Sequence, residues 1–378
     1  MTRKPKMLLA SPYYAPKVGG LENYAYRISQ ELIAKGWDVI AVAANHEGKE
    51  FRVDEVDGVK VYRLPASFTF SNTSFGFDWA RRIRKIIKEE KPDVINAYTP
   101  VPGMADAAAR AAGRTPFCIT YHAATLYKQD NLLFNTVIFG YRFLEKFLFN
   151  KARMIITVTP YHKDKVSKKT RAKFRLVENA IPDNELLDKM LSKKPSKLLF
   201  INNLHKAHAW KGLDDILEAV AIYKQSGKPV HLDVVGDGDY RQHYEQHAAD
   251  LGITKEVTFH GQQTAKAKYD LLKEAAAYVA YPTAANDAFP TVILEAWSHF
   301  AAVIAADIGA LPYVVNDGKD GVLAAPRDPQ ALAAAIDKVL GDPALQKQLA
   351  LAGHKRAEAL TWSRQGAKTE KLLKELLS

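Results

Sequence analysis

A chain of 378 residues, 47% hydrophobic and 25% charged, is too long for one ordinary core and suits two domains. No apolar stretch reaches the roughly 18 uncharged residues of a membrane-spanning helix, and residues 1–6 lead into a strand without a signal-peptide core. We therefore expect a cytoplasmic protein. Cys118 is the only cysteine, which excludes an intramolecular disulfide and favours a buried strand residue over a nucleophile.

The first half of the chain alternates short β-rich segments with amphipathic helices. Strands are predicted at residues 6–11, 38–44, 59–64, 93–98, 117–122 and 154–159. Helices are predicted at residues 21–35, 79–91, 104–112 and 132–151. This alternation indicates an α/β domain with a parallel, doubly wound sheet.

A polar, proline-bearing stretch at residues 182–196 interrupts that pattern, and a second series follows. Its strands are predicted at residues 197–204, 230–235, 257–260, 277–281 and 302–306, and a last helix at 362–377. Two similar α/β domains that meet at a linker place ligands in a cleft, where the carboxyl ends of both sheets face each other.

Two acids stand eight positions apart around a Phe-Pro pair in NDAFPTVILEA, namely Asp287 and Glu295. Pro290 is predicted in the first turn of the helix that carries Glu295. Because a helix amino end is positive, acids on both sides of it suit an anionic ligand with hydroxyls at each flank, such as a nucleotide-sugar. The alternative is a capped surface helix with an incidental acid.

Glycines follow a predicted strand in each half of the chain. Gly19 and Gly20 come after the first strand at the start of a helix, and Gly236 and Gly238 follow a strand of the second series in VVGDGD. Glycine lets the backbone approach a ligand closely beside a positive helix end. A plain turn would use the same residues, and Gly236 fits a role in loop shape as well as in direct binding.

In order and spacing, the motifs of this chain resemble those of the retaining glycosyltransferases of family 4, the glycosyl transferases group 1. They are SPYYAPKVGGLENYAYRISQELIAKGWDV, VENAIPDN, KGLDDILEAV, LDVVGDGDYR, VTFHGQ and the acid pair that ends at Glu295. The resemblance implies the GT-B fold, two Rossmann-like domains facing across a cleft. Residues 1–182 would form the acceptor-side domain and 183–360 the donor domain, with a helix at 361–378 crossing back to the first.

The same resemblance implies roles for individual residues. Lys211 would stabilise the leaving diphosphate, Asp287 would contact the donor sugar, Glu295 would bind the ribose hydroxyls, and His122 would line the transferred hexose. The further donor-binding positions are Gly19, Gly20, Asn203, Gly236, Ala288, Phe289, Pro290 and Leu294. The donor would be a UDP- or GDP-sugar, with no cofactor and no metal, and the departing phosphate oxygen would act as base in a same-face, retaining reaction.

The chain departs from the family pattern at several of these places. Asp287 stands where glutamate is usual, Asn203 where many relatives have arginine, and Phe300 where glycine is common. Lys206, His205 or His208 would then compensate for the missing arginine. Crowding by Ala288 and Phe300 would weaken donor handling, so the alternatives are a nucleotide-binding GT-B scaffold and a UDP-sugar epimerase of the same fold.

Charge is divided unevenly along the chain. Residues 1–190 contain 31 Lys and Arg against 20 Asp and Glu, whereas residues 191–378 contain 22 of each kind. The basic first domain suits docking to an anionic membrane surface, with solvated helix faces as the alternative. Nucleic acid is disfavoured, because the basic segments lack interleaved aromatics. The oligomeric state and the hydroxyl acceptor stay open.

Two further segments carry expectations about partners. Residues 132–151 are apolar on several sides, which favours a helix packed in the interior over one lying in a membrane interface. No metal is expected, because the histidines follow no ligand spacing with a cysteine or acid. Those histidines are His205, His208, His231, His243, His247 and His260.

Overall fold

The computed structural model describes residues 3–17, 19–70, 73–122 and 132–378, which form two compact units. The first unit comprises the chain up to Asn179 together with Trp362–Ser378, and the second comprises Ala180–Thr361. No helix among the described residues is long and apolar enough to span a bilayer.

The first unit is built on an eight-stranded sheet. Its strands are β1 Lys6–Ala10, β2 Asp38–Ala44, β3 Arg52–Val56, β4 Val59–Leu64, β7 Val94–Thr99, β8 Phe117–Tyr121, β9 Met154–Thr157 and β10 Phe174–Leu176, and a separate hairpin pairs β5 Phe68–Phe70 with β6 Thr73–Phe75. Its helices are α1 Gly20–Ala34, α2 Trp79–Glu90, α3 Met104–Ala111, α4 Leu132–Lys151 and α5 Lys168–Arg171. The strand order is β10-β9-β8-β7-β1-β2-β4-β3, and all pairs are parallel except β3 with β4. The expected doubly wound parallel sheet is confirmed.

The switch point of this sheet lies at β1, which pairs with β2 on one side and with β7 on the other. Helix α3 is rich in alanine and almost wholly buried, and its Met104 belongs to the same buried core as Trp79 of α2. The antiparallel edge strand β3 was not predicted. Asp57 and Gly58 join it to β4 with φ of 46° and 79°, the backbone of a tight hairpin turn that Asp-Gly favours.

Helix α4 differs from its prediction on one face. Ile138, Tyr141 and Leu148 are buried as expected, but Phe139, Phe143, Leu144 and Phe147 are 48% to 61% exposed. The prediction of a helix packed in the interior is therefore right for one side of α4 and wrong for the other. An apolar helix face turned to solvent marks a contact surface rather than a core element.

The second unit is a six-stranded, fully parallel sheet. Its strands are β11 Lys194–Ile201, β12 His231–Val235, β13 Val257–Phe259, β14 Ala275–Ala280, β15 Ala302–Ala306 and β16 Val322–Ala324, in the order β13-β12-β11-β14-β15-β16. Its helices are α6 Leu213–Gln225, α7 Arg241–Asp250, α8 Ala265–Glu274, α9 Thr291–Ser298, α10 Leu311–Val314, α11 Pro329–Leu340 and α12 Pro343–Glu358. Every residue of β14 is buried, as parallel strands covered on both faces require. The switch point lies between β11 and β14.

The last helix, α13 Trp362–Leu377, packs on α1 within the first unit. Trp362 meets the ring of Tyr24 edge-on at 5.5 Å between centroids. At Gly366 an added Cβ would lie 2.4 Å from the Glu31 Cβ, so the close approach of the two helices depends on that glycine.

Candidate functional site

In the second unit, the loops that follow β11 and β14 leave the same sheet edge on either side of the switch point. The first loop ends in a 3-10 turn at Lys206–Lys211. Gly212 joins this turn to α6 with a φ of 79°, and an added Cβ would lie 2.0 Å from the Tyr281 carbonyl oxygen at the end of β14. Glycine is therefore needed here, because a side chain would push the two loops apart.

These loops bring Lys211 and Asp287 into contact. Lys211 Nζ lies 2.6 Å from Asp287 Oδ2, and the two side chains are 22% and 20% exposed. The Thr283 amide donates to the Trp210 carbonyl at 2.7 Å, which ties the loops together beside the pair. A cation and an anion thus stand side by side at the switch point, both accessible from solvent.

The charges of Lys211 and Asp287 also act on His208. Burial lowers the pKa of His208, as do the positive charges of Lys211 and His205, and the carboxylates of Asp287 and Asp239 offset part of this effect. Its Nδ1 atom is buried without a hydrogen-bond partner among the described residues. This buried ring nitrogen therefore has spare hydrogen-bonding capacity beside the candidate site.

Glu295 lies on α9, the helix that begins directly after the second loop. Its Oε2 atom lies 2.7 Å from Lys268 Nζ of α8, and the carboxylate is 15% exposed. Burial raises the pKa of Tyr278 on β14, and the charges of Asp287 and Glu295 raise it further, so both carboxylates act on one phenol. The acid pair found in the sequence therefore shares one edge of the sheet.

The residues between these acids hold the loop and helix in place. Pro290 has non-helical backbone angles and α9 starts at Thr291, so the proline is the N-cap and not the first helical residue as predicted. Ala288 and Phe289 are 8% and 5% exposed, and Leu294 is fully buried. The Leu294 side chain thus belongs to the core, which leaves it no face for the expected ligand contact.

The glycine loop after β12 packs on the loop after β11. Gly236 has a φ of 134°, and an added Cβ would lie 1.7 Å from the Asn202 carbonyl oxygen. The Leu204 amide donates to the Asp237 carbonyl at 2.9 Å across the same contact. Gly236 therefore shapes the loop, whereas Asn203 is exposed at its rim.

The first unit holds the other three expected residues, Gly19, Gly20 and His122. Gly19 is extended, with a φ of 176°, and an added Cβ at Gly20 would meet no atom within 4 Å. His122 follows β8, and its Nε2 atom lies 2.9 Å from Asn179 Oδ1. Burial lowers the pKa of His122, and the hydrogen bond to Asn179 offsets part of this shift. The residues that follow it, 123–131, lie outside the described part of the chain.

Comparison with known proteins bears on both units. Residues 18–185 match the family model described as Glycosyltransferase Family 4, and residues 184–356 match the one described as Glycosyl transferases group 1. The chain belongs to glycosyltransferase family 4. It is 25% identical to glycogen synthase of Mycobacterium tuberculosis, with 93% of this chain and 90% of that protein covered. It is 24% identical to phosphatidyl-myo-inositol mannosyltransferase of Mycolicibacterium smegmatis, with 94% and 90% covered.

A solved structure agrees on the fold of this family 4 glycosyltransferase. Anabaena HepE in complex with UDP matches with a TM-score of 0.72 at 18% identity, covering 99% of this chain and 100% of that one. The chain thus has the GT-B fold that its motifs predict.

One expected departure from the family pattern is corrected by the structure. Phe300 follows α9 and precedes β15, so it lies at the opposite end of the helix from Pro290. Its ring is 4% exposed and stacks on His354 of α12 at 3.7 Å. The backbone does have the glycine-like φ of 55°, but the ring enters the core of the unit. Phe300 therefore does not crowd the candidate site, and that expectation is wrong.

The structure also adds residues that the family 4 motifs did not single out. Asn179 orients His122, and Lys268 pairs with Glu295; Asn179 lies within the VENAIPDN motif, whereas nothing in the sequence links Lys268 to Glu295. Two of the histidines meet an acid in the structure. His243 and His247 are one helical turn apart on α7 and meet Asp214 of α6. That i, i+4 spacing was readable, but the acid lies 29 residues before His243.

Proposed function

We propose that this family 4 enzyme is a retaining glycosyltransferase that moves a hexose from a UDP- or GDP-sugar to a hydroxyl acceptor. The observation that carries the proposal is the Lys211–Asp287 pair at the switch point, with Glu295 on the adjoining helix. Ligands of doubly wound sheets bind at this position. The bound UDP of Anabaena HepE, a structure of the same fold, supports a nucleotide donor.

The diphosphate of the donor competes with Asp287 for the Lys211 ammonium. When it binds, Lys211 Nζ turns from the carboxylate to the phosphate oxygens and stabilises the negative charge that develops as the diphosphate leaves. Asp287 is then free to accept hydrogen bonds from sugar hydroxyls. The unpartnered His208 Nδ1 supplies one further contact to this region, in place of the arginine that Asn203 replaces.

The transfer step needs no metal in this scheme. The bond between the anomeric carbon and the phosphate oxygen breaks, and the acceptor oxygen forms the new bond on the same face. The acceptor proton passes to the departing phosphate oxygen, so atoms and charges balance. Lys211 and the amino end of α9 stabilise the negative charge of the leaving diphosphate, which a divalent cation would otherwise neutralise.

Glu295 is assigned to the ribose. A carboxylate that keeps one oxygen on Lys268 still accepts hydrogen bonds from two neighbouring hydroxyls. His122 is assigned to the transferred hexose as a neutral imidazole, which its lowered pKa favours at neutral pH. Gly19 and Gly20 are assigned to the same ligand: Gly20 leaves room beside the amino end of α1, whereas an added Cβ at Gly19 would meet the Glu22 carboxylate.

The acceptor is proposed to be carried by a membrane. The exposed aromatic face of α4 combines Phe139, Phe143 and Phe147 with the cation of Lys146, whose Nζ lies 5.1 Å from the Phe143 ring centroid. Aromatic side chains flanked by lysine suit an anionic bilayer surface. The mannosyltransferase relative is named for a phosphatidyl-inositol acceptor, which agrees with a lipid-linked acceptor here.

The test starts with a thermal-shift screen of UDP-, GDP- and ADP-sugars. The stabilising donor is then incubated with lipid and saccharide acceptors, and the anomeric configuration of the product is read by NMR. Release of the nucleoside diphosphate with a retained linkage is expected. Stabilisation without turnover would favour the nucleotide-binding scaffold, a free epimerised sugar would favour the epimerase, and an inverted linkage would exclude retention.

A further inference from the structure

Two helices of the second unit present three metal-ligating side chains to one another. Asp214 lies in the first turn of α6, and His243 and His247 lie one turn apart on α7. Asp214 Oδ1 is 2.9 Å from His243 Nε2 and 2.9 Å from His247 Nδ1. One ligand atom from each residue lies within 4.8 Å of the other two.

The ligand types match a particular class of ion. Two imidazole nitrogens and one carboxylate oxygen are the usual protein ligands of Zn²⁺, at about 2.0 to 2.2 Å from the metal. In tetrahedral geometry such ligands stand a little over 3 Å apart, so the two 2.9 Å separations from Asp214 need only a small expansion, and the two histidine nitrogens already lie within 4.8 Å of each other. The side chains are 22% to 42% exposed, which leaves an entry path and a fourth position for water.

Two side chains lie against the rings of the cluster. Glu218, one turn after Asp214, lies 3.9 Å from His247 Nε2, the ring nitrogen that does not face Asp214. A carboxylate that hydrogen-bonds this far nitrogen fixes the tautomer of a metal-ligating histidine, and Glu218 has to approach by roughly 1 Å to make that bond. The ring of Tyr240 stacks on His243 at 4.1 Å between centroids, which holds the second imidazole.

A second group in the same unit shows what distinguishes this cluster. His260 Nε2 and His231 Nε2 lie 2.7 Å and 3.6 Å from Asp233 Oδ1. There, however, the ammonium of Lys197 lies 2.7 Å from Asp233 Oδ2 and already neutralises the carboxylate. A lysine at this distance repels a metal ion, so this group serves as an internal comparison.

We propose that Asp214, His243 and His247 form a Zn²⁺ site that clips α6 to α7. Each of these helices follows a loop of the candidate donor site, since α6 begins directly after Lys211 and Gly212, and α7 follows the Gly236 loop. By holding the two helices together, the ion therefore restrains the loops that precede them. It takes no part in the transfer step proposed above, and its binding is measurable without any sugar donor.

The experiment is a calorimetric titration of Zn²⁺ into the full chain after removal of metal by a chelator. One ion per chain is expected, and His243→Gln and His247→Gln should each weaken binding by about 100-fold or more. Glu218→Gln should weaken it by about tenfold, within the range for partners of ligating histidines. The double variant His231→Gln with His260→Gln is the matched control and should bind like the parent.

Three outcomes would overturn the proposal. They are absence of stoichiometric binding in the parent, equal binding by the double variant His243→Gln with His247→Gln, and a loss in the His231 and His260 control as large as in the ligand variants. Asp214→Asn keeps the shape of the side chain while it removes the charge, and circular dichroism of each metal-free variant confirms its fold. A loss of Zn²⁺ affinity in a folded Asp214→Asn protein supports the site.

Discussion

The candidate donor site of the second unit and the exposed face of α4 in the first unit use charge in opposite ways. In the donor site each acid has a lysine, Asp287 with Lys211 and Glu295 with Lys268, at 2.6 Å and 2.7 Å. On α4, lysine and phenylalanine side chains turn to solvent. Paired charges on neighbouring loops and helices suit a small ligand that takes over one partner of a pair, whereas an open cationic and aromatic face suits contact with an extended surface.

The largest expected effect comes from breaking the first pair. Lys211→Ala should lower turnover by about a hundredfold or more, because it removes one preorganised group that stabilises the leaving charge. Steady-state kinetics with the donor found by the screen measures this effect. Lys224→Ala, which breaks an ion pair between the last turn of α6 and Glu256, is the matched control and should leave turnover unchanged.

Metal dependence can be read in the same assay. Turnover is expected to persist in EDTA, since the proposed zinc clip lies outside the transfer step. Loss of turnover on chelation that manganese restores would contradict the metal-free reaction, and normal turnover in Lys211→Ala would contradict the role of the lysine.

The second pair tests binding rather than catalysis. Glu295→Ala should weaken nucleotide affinity by about 10- to 100-fold, since hydrogen bonds to a charged group are worth about 1.5 to 3 kcal/mol. Calorimetry with the nucleoside diphosphate measures it. Glu274→Ala removes a carboxylate from the end of α8 that pairs with Lys194, and it should bind like the parent. Equal affinity in the Glu295 variant would refute the ribose assignment.

The α4 face should give a smaller effect that is spread over several side chains. Phe139→Ser and Phe143→Ser should each lower binding to anionic liposomes by roughly tenfold, as expected for partial burial of a phenylalanine in the bilayer. Binding should also fall as salt rises, because screening limits the field of the lysines to about 8 Å at physiological ionic strength. Sedimentation with liposomes measures both effects.

The control for this surface is Leu351→Ser, which removes an exposed apolar side chain from α12 in the second unit. It should bind liposomes like the parent. If the parent binds neutral and anionic liposomes equally at low salt, its basic residues form an ordinary solvated surface.

The two regions also differ in how far the sequence predicts them. Alternating apolar segments predict the inner strands of both sheets, because buried parallel strands are continuous apolar runs. The short strands at three sheet edges, β3, β10 and β16, were missed. The partners of the site acids come from distant segments, with Lys268 27 residues from Glu295 and Lys211 76 residues from Asp287. Such contacts follow from sheet order, which a local pattern does not specify.

Phe300 illustrates the same lesson. Its place in the family motif predicted a clash with the ligand, whereas its ring reaches His354 on α12, an element that no motif covers. The exposed side of α4 was missed for a related reason. Composition showed that the helix is apolar on several sides, but only the packing of Ile138, Tyr141 and Leu148 decides which side is buried.

The smallest expected effect concerns the helix that carries Glu295. His299 follows α9, is 3% exposed, and its Nδ1 atom lies 2.8 Å from the Glu295 carbonyl. Burial lowers the pKa of His299 to about 4, which the hydrogen bond to Glu295 offsets only in part. Between pH 6.5 and 4 the unfolded chain binds a proton that the folded one does not, so stability should fall as pH falls through this range.

Substitution of this residue isolates its share of acid sensitivity. His299→Gln should reduce the loss of unfolding free energy between pH 7 and 4 by at most about 3 kcal/mol, from roughly 1.4 kcal/mol per pKa unit. Urea denaturation of parent and variant at several pH values gives the two slopes, and the slopes are compared because the variant starts from a different stability. Identical slopes would mean that His299 takes up its proton over the same pH range in the folded and unfolded states, so that burial at the end of α9 does not keep it neutral.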